Sequence, residues 1–205
     1  GVKIASEKIN KLKAKQMPIS IEEIQSFKEN LPFKLTNAQE RTIKEISEDI
    51  SLAKPMRRLV QGDVGSGKTV VAAMSMYISA KNNSQSVLLC PTEVLAEQHF
   101  KNFSAWFKNL NIKIELLTGK MPVSKRRGIY QDLENGEIDI LIGTHAVFQE
   151  KVKMKNLGLV VVDEQQRFGV KQRFDLVKKS SDQLMPHQLF MTATPIPRNL
   201  AMTIF

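Results

Sequence analysis

Leu59-Val60-Gln61-Gly62-Asp63-Val64-Gly65-Ser66-Gly67-Lys68-Thr69-Val70-Val71-Ala72-Ala73 decides the fold of this chain. Its middle, Gly62 to Thr69, satisfies G-x-x-x-x-G-K-[ST] in full. Leu59-Val60-Gln61 has the apolar character of the end of a buried strand, and Val70 to Tyr77 that of a helix with small residues near its start. A phosphate-binding loop needs that context. Its glycines, Gly62, Gly65 and Gly67, let backbone N–H groups of Asp63, Val64 and Ser66 turn inward around a β-phosphate, and the helix amino end adds partial positive charge. Lys68 is spaced to reach the β- and γ-phosphates, and Thr69 offers a hydroxyl to Mg²⁺, a hard ion that takes oxygen ligands. A glycine-rich turn that binds nothing is the weaker reading, because strand, loop and helix are in register.

The chain has 205 residues, enough for one domain with a substantial core and a short extension ahead of it, but not for a second full domain. Its single cysteine, Cys90, ends an apolar run and excludes a disulfide framework within the chain or a cysteine-rich zinc site. No apolar stretch is long enough to span a bilayer and no signal peptide opens the sequence, so no membrane partner and a cytoplasmic setting are expected. The formal net charge of +9 points to a polyanionic partner, but Lys3, Lys8, Lys11, Lys13 and Lys15 against Glu7 account for +4, leaving +5 for residues 17–205. A solvated lysine face explains the first sixteen residues as well as nucleic acid does.

Ile4, Ala5, Ile9 and Leu12 recur at helical spacing, so residues 1–16 predict the end of an amphipathic helix, broken at Met17-Pro18. Ser20 to Glu23 and Thr36 to Gln39 are capping-box patterns, the first opening a short helix that ends at Asn30-Leu31-Pro32, the second a helix to about Leu52. Strand and helix then alternate. Val87 to Cys90 is a strand, followed by a helix with Leu95, His99, Phe103, Trp106 and Leu110 on one face. Ile114 to Leu117 is a strand, Ser124 to Leu133 a basic helix, and Ile140 to Ile142, Leu159 to Val162 and Leu189 to Met191 are further strands. Short apolar runs without polar alternation are strands covered on both faces. The fold class is therefore α/β, a mostly parallel central sheet with helices on both faces and an N-terminal helical extension.

Leu159 to Val162 ends in Asp163-Glu164, which sets two carboxylates at the carboxyl edge of a central strand, where open α/β sheets bind ligands. Asp163 suits a magnesium ion held through its water shell, and Glu164 suits orienting or deprotonating an attacking water. Adjacent acids are common by chance. An apolar strand ending in them about a hundred residues beyond a complete phosphate loop is not.

Asp163-Glu164-Gln165-Gln166, then Arg167-Phe168-Gly169-Val170, resembles the DExH group of superfamily 2 helicases and translocases. Arg58 to Thr69, Gly143-Thr144-His145-Ala146-Val147-Phe148-Gln149 and Asp163-Glu164-Gln165 are most similar to the RecG-type helicases of bacteria, and the resemblance covers nearly everything from Leu31 to Phe205. It implies a RecA-like P-loop NTPase domain over residues 31–205, preceded over 1–30 by a helical linker from an upstream domain. ATP and Mg²⁺ are the implied cofactors. By the same resemblance Lys68, Asp163, Glu164 and Gln166 are catalytic, Thr69 and Asp163 hold the metal, Gln39 reads adenine and Phe33 stacks on it. Thr192-Ala193-Thr194 and Arg198 link hydrolysis to domain movement, while Pro91-Thr92, Thr118-Gly119 and Thr144-His145 take the places of the nucleic-acid backbone motifs. RecG-type proteins generally carry histidine where this chain has Gln166, but an amide also both donates and accepts, so coupling is expected without a histidine pKa.

The implied function is ATP-driven remodelling of branched DNA, at replication forks and Holliday junctions, in recombination and repair, by a bacterial, nucleoid-associated protein. The implied partners are branched or double-stranded DNA, a second RecA-like domain with its arginine finger, and an upstream DNA-binding domain. Hydroxyls and N–H groups at Thr92, Thr118, Gly119 and Thr144 suit phosphate contacts that carry no base information. Lys120, Lys125, Arg126 and Arg127 either add counterion-release affinity or form a solvated helix face. Phe103, Trp106 and Phe107 fit a core-facing stripe better than a base-stacking platform, and His99, His145 and His187 show no metal-ligand spacing. The motor of transcription-repair coupling factor is the second reading, and it usually differs at Gln61 and Ser66. A small P-loop phosphotransferase is a third, but gives the Asp-Glu strand and Thr192-Ala193-Thr194-Pro195 no role. A GTPase is weaker, since no Asn-Lys-x-Asp motif is present.

Overall fold

The computed structural model describes residues 13–62, 67–163, 184–193 and 201–204. Two capping boxes start the helical elements: Ser20 with Glu23 opens α1 (Ile21–Glu29), and Thr36 with Gln39 opens α2 (Asn37–Ile50). Each box satisfies donors at a helix start that would otherwise lack partners. The chain then forms β1 (Arg57–Gln61), α3 (Lys68–Lys81), β2 (Gln85–Leu89), α4 (Glu93–Trp106), β3 (Ile114–Leu117), α5 (Val123–Asn135) and β4 (Ile140–Gly143). A 3₁₀ turn at His145–Phe148 leads on to β5 (Leu157–Asp163), β6 (His187–Thr192) and β7 (Ala201–Ile204).

The strands form one seven-stranded sheet in the order β3-β4-β2-β5-β6-β1-β7, and every neighbouring pair is parallel. Side chains alternate across it with the period of two that a strand imposes. Val60, Leu88, Ile140, Ile142, Leu159, Val161, Leu189 and Met191 join a core with α1, α2, α3 and α4 on one face. Leu59, Val87, Leu89, Leu141, Val160, Val162 and Phe190 join Ile129 and Leu133 of α5 and Ala146 and Val147 of the 3₁₀ turn on the other. Each such side chain, fully buried, contributes about 1.5–3 kcal/mol relative to exposure. The parallel sheet covered on both faces matches expectation, as do the strands and helices read from the apolar runs.

Four details differ. Residues 13–16 are not the end of a helix: 13–19 form an irregular strap whose amides are spent elsewhere, Ala14 N–H on Ala53 O (2.7 Å) and Met17 N–H on Ile50 O (2.8 Å). The expected helical spacing of Ile4, Ala5, Ile9 and Leu12 lies outside the described residues. Leu110 sits beyond the end of α4, in a turn containing the left-handed residues Asn109 and Asn111, though it still packs on the core. β2 begins at Gln85 rather than Val87, because the buried Gln85 amide donates to Leu133 O and Ile138 O at 3.0 Å each while its Oε1 accepts from Asn156 N–H. β7 is an additional strand, paired with β1 from Arg58↔Ala201 to Gln61↔Ile204.

The strap is fastened at the amino-terminal edge of the sheet by His187, which is fully buried. Its Nδ1 accepts from Met56 N–H at 2.9 Å and its Nε2–H donates to Lys15 O at 2.8 Å, so the ring serves both bonds only when neutral. Burial lowers the His187 pKa, only partly offset by the Lys15 carbonyl and by Asp49. In the unfolded chain the ring binds a proton below about pH 6.5, whereas the folded protein resists it. His187 therefore contributes stability that is fully present above pH 6.5 and is lost as pH falls from there through the lower folded value. Urea unfolding followed from pH 7.5 to 5 is expected to show the midpoint falling below pH 6.5, and His187→Gln, which does not titrate, is expected to lose that component of the fall.

Candidate functional site

Parallel pairing brings every strand's carboxyl end to one edge of the sheet, and the strand order divides that edge in two. On one half lie β5, β6 and β1. Gln61 is level with Thr192, and Met191 with Asp163, so Asp163 stands two strand spacings, roughly 10 Å, from the end of β1. Gly62 N–H donates to Thr192 O at 3.1 Å, which extends the β1–β6 ladder to the start of the loop. Lys68 is the first residue of α3, Thr69 the second, and both are half-buried. Asp63, Val64, Gly65 and Ser66 lie outside the described residues.

The loop closes on Gly67, at φ +87°, a left-handed conformation open to glycine without strain. Glycine is required there twice over. A Cβ at this position would sit 1.9 Å from Nε2 of Gln39. That amide group donates to Gly67 O at 3.3 Å, while its Oε1 accepts from Thr36 N–H at 2.8 Å as part of the capping box of α2. Gln39, 5% exposed, is thereby fixed against the phosphate loop by its role as a cap. Phe33 keeps 41% of its surface exposed, stands edge-on to Trp106 with ring centroids 5.7 Å apart, and lines a cleft with Lys28, Leu35 and Glu40.

Asp163 ends β5 with 9% exposure, and its Oδ2 lies 3.0 Å from His99 Nε2. Thr69 and Asp163 present a hydroxyl and a carboxylate, the hard oxygen donors that Mg²⁺ prefers, so the residues fit that ion. The Cys90 thiol, buried beside this carboxylate, has its pKa pushed up, first by burial and then by the negative charge of Asp163. It stays a thiol at neutral pH. Thr192 is fully buried and Ala193 half-buried. Glu164, Gln166, Thr194 and Arg198 lie outside the described residues.

β2, β4 and β3 end on the other half of the edge. Pro91 and Thr92 follow β2, with the Thr92 hydroxyl accepting from Leu95 N–H to cap α4. Thr118 and Gly119 follow β3, and Glu93 lies beneath Gly119 while pairing with Lys120 at 3.4 Å. Gly143 at the end of β4 admits no side chain, since a Cβ would meet Leu117 O at 2.6 Å and Val147 Cγ2 at 2.8 Å. The three segments are thus brought side by side. Thr92, Gly119 and His145 are exposed and Pro91 is half-buried, whereas Thr118 and Thr144 are buried, against the expectation that their hydroxyls meet phosphates.

Residues 36–203 match the model of the DEAD/DEAH box helicase family. The chain belongs to that family. The ATP-dependent DNA helicase RecG of Aquifex aeolicus is 48% identical over 202 residues, 98% of this chain and 25% of that protein. RecG of Bacillus subtilis is 50% identical over 186 residues, covering 91% of this chain and 27% of its own length. RecG of Escherichia coli K12 is 51% identical over 176 residues, 85% and 25% respectively. The chain spans about a quarter of the length of these curated relatives. Among solved structures, RecG bound to a three-way DNA junction superposes with a TM-score of 0.83 at 39% identity over 99% of this chain and 28% of that one. The fold is thus RecA-like, family membership implies ATP use, and the small phosphotransferase reading is set aside.

Sequence reasoning assigned no role to His99 beyond the core face of α4, because its spacing with Leu95 and Phe103 is that of an apolar stripe. The available signal was a polar residue among those apolar positions, on the helix that follows a strand ending at the same sheet edge.

The double role of Gln39 separates two effects. Gln39→Ala is expected to lower stability by about 1 kcal/mol through loss of the cap. Gln39→Glu keeps an acceptor for Thr36 N–H but sets a buried carboxylate oxygen against Gly67 O where a donor stood, so urea unfolding is expected to show a larger loss, about 1–3 kcal/mol.

Proposed function

We propose that this chain is the ATP-binding motor domain of a RecG-like DNA helicase that couples ATP hydrolysis to remodelling of branched DNA in recombination and repair. The observation that carries the reading is the division of one sheet edge into a half with phosphate-loop and carboxylate residues and a half that presents the exposed Thr92, Gly119 and His145 side by side. The likeness to relatives named ATP-dependent DNA helicase RecG, and to the solved structure of RecG bound to a three-way DNA junction, supports it. A second RecA-like domain and an upstream DNA-binding domain of the same protein would complete the motor, in keeping with the greater length of those relatives.

In this reading, Gly62 starts the loop, backbone N–H groups from Asp63 to Gly67 and the amino end of α3 hold the triphosphate, and Lys68 neutralises its developing charge. Gln39 and Phe33 meet the base. Thr69 and Asp163 would hold Mg²⁺, which would supply neutralisation of phosphate charge. Glu164 orients the attacking water and accepts its proton, and Gln166 offers an amide link to Thr192 and Thr194 across the end of β6. Arg198 and the Thr192-Ala193-Thr194 segment follow that change toward the second domain. On the far half of the edge, Pro91-Thr92, Thr118-Gly119 and Thr144-His145 contact DNA through its phosphates, which allows stepping without regard to sequence.

The test uses the full-length protein with a synthetic fork. Lys68→Ala and Glu164→Gln are each expected to lower DNA-stimulated ATP turnover by at least about 10²-fold, as losses of charge stabilisation and of a general base do, with the circular dichroism spectrum unchanged. Turnover at the parental rate in either variant would show the site assignment to be wrong, and fork remodelling by either would remove the coupling.

A further inference from the structure

His99 and Asp163 are 64 residues apart in sequence and meet at 3.0 Å, Nε2 to Oδ2, with side-chain exposures of 10% and 12%. An ionised carboxylate only accepts, so Nε2 carries the hydrogen and donates it. The ring is held from a second side by Phe103, one turn along α4, with centroids 6.5 Å apart at 64°. Nδ1 is buried and has no partner among the described residues, so the bond to Asp163 is the ring's polar anchor there. A histidine that served only the core would be expected to spend both nitrogens, as His187 does. Among the described residues His99 instead spends one, on the carboxylate at the carboxyl end of β5.

The position of α4 gives this contact its reach. β2 and β5 are neighbours, with Leu89 level with Val162, so α4 leaves the sheet edge directly beside Asp163. Thr92 caps the helix, and His99 lies seven residues further on the same face, two turns or about 10 Å along the axis. Ala96 and Phe103 on that face are fully buried and fix the helix to the core. One rigid element thus has the half of the edge facing DNA at its start and the acid of the nucleotide half within its second turn.

We propose that His99 is a positioning residue: its Nε2–H fixes one oxygen of Asp163, aims the other at the metal site, and ties the placement of that carboxylate to α4, whose amino end meets DNA. The proposal rests on the reading of Asp163 as the magnesium carboxylate. It predicts that removing the donor loosens metal binding while leaving metal-free nucleotide binding alone. A bond through α4 further predicts that DNA and metal binding influence each other through this side chain.

The experiment measures, in the full-length protein, the Mg²⁺ concentration that half-saturates binding of a fluorescent non-hydrolysable ATP analogue, with and without a DNA fork, beside affinity in EDTA. His99→Asn is too short to reach Asp163 and is expected to require about ten-fold more Mg²⁺, the size of effect seen when the partner of a metal ligand is removed. Its affinity in EDTA is expected to be unchanged. His99→Gln, whose amide nitrogen reaches the place of Nε2, is expected to return within about two-fold of the parent, a rescue that a purely packing role does not give. DNA is expected to shift the Mg²⁺ midpoint of the parent and of His99→Gln, but not of His99→Asn.

A parental Mg²⁺ midpoint in His99→Asn, or no rescue by His99→Gln, overturns the positioning role. Absence of the DNA shift in the parent, or its persistence in His99→Asn, overturns the link through α4. Asp163→Asn separates the underlying reading: if it keeps the parental Mg²⁺ dependence, the metal assignment of Asp163 fails. If it loses that dependence while His99→Asn keeps it, only the present inference fails. Should His99→Asn not fold, the same measurements on His99→Leu replace it, with His99→Gln still the rescue.

Discussion

Parallel pairing is the constraint on which the rest depends. In an antiparallel sheet, successive strands deliver their carboxyl ends to opposite edges, and residues at the ends of neighbouring strands are separated by the length of a strand. Here all six pairings are parallel, so the segments after β1, β2, β3, β4, β5 and β6 emerge together. The crossovers this demands are the helices that bury the sheet, and their burial in turn makes the strands apolar on both faces. Site and core are therefore consequences of one choice of strand direction.

α3 shows how firmly that choice holds the phosphate loop. From Val70 to Ser79 every residue is buried, although a surface helix would leave one face wet. Its two buried serines are satisfied within the protein, Ser75 on Val71 O at 2.8 Å and Ser79 on Ser84 O at 3.2 Å. Packed on all sides, the helix cannot roll or slide without breaking several contacts at once. Lys68 and Thr69 project from its first turn and inherit that fixity, while Gln39, held by the cap of α2, closes the loop from outside.

Local patterns in the sequence carry most of this. Both capping boxes are where Ser20-Glu23 and Thr36-Gln39 put them, and the apolar runs ending at Gln61 and Asp163 are strands in one sheet. What escaped depends on partners far along the chain. Gln85 looks like a linker residue until Leu133 and Ile138 supply its acceptors. His99 shares helical spacing with core residues, and only the β2–β5 pairing brings Asp163 to it. Ala201 to Ile204 becomes a strand because Arg58 to Gln61 offers it an edge, not because four residues of that kind demand one. The strap at residues 13–19 lacks a helix because its amides bond to α2's end rather than to each other.

That strap has a mechanical consequence. Lys13 O accepts from Met185 N–H, Lys15 meets both His187 and, through Nζ, Asn82 O at 2.6 Å, and Met17 bonds to the end of α2. These anchors belong to the approach to β6, the end of α3 and the end of α2. The strap thus ties the start of β6 and the ends of α2 and α3 to one segment of chain. Those ties lie at the amino-terminal edge of the sheet, opposite the edge that carries Gly67 and Asp163, so the strap braces the domain without touching the candidate site.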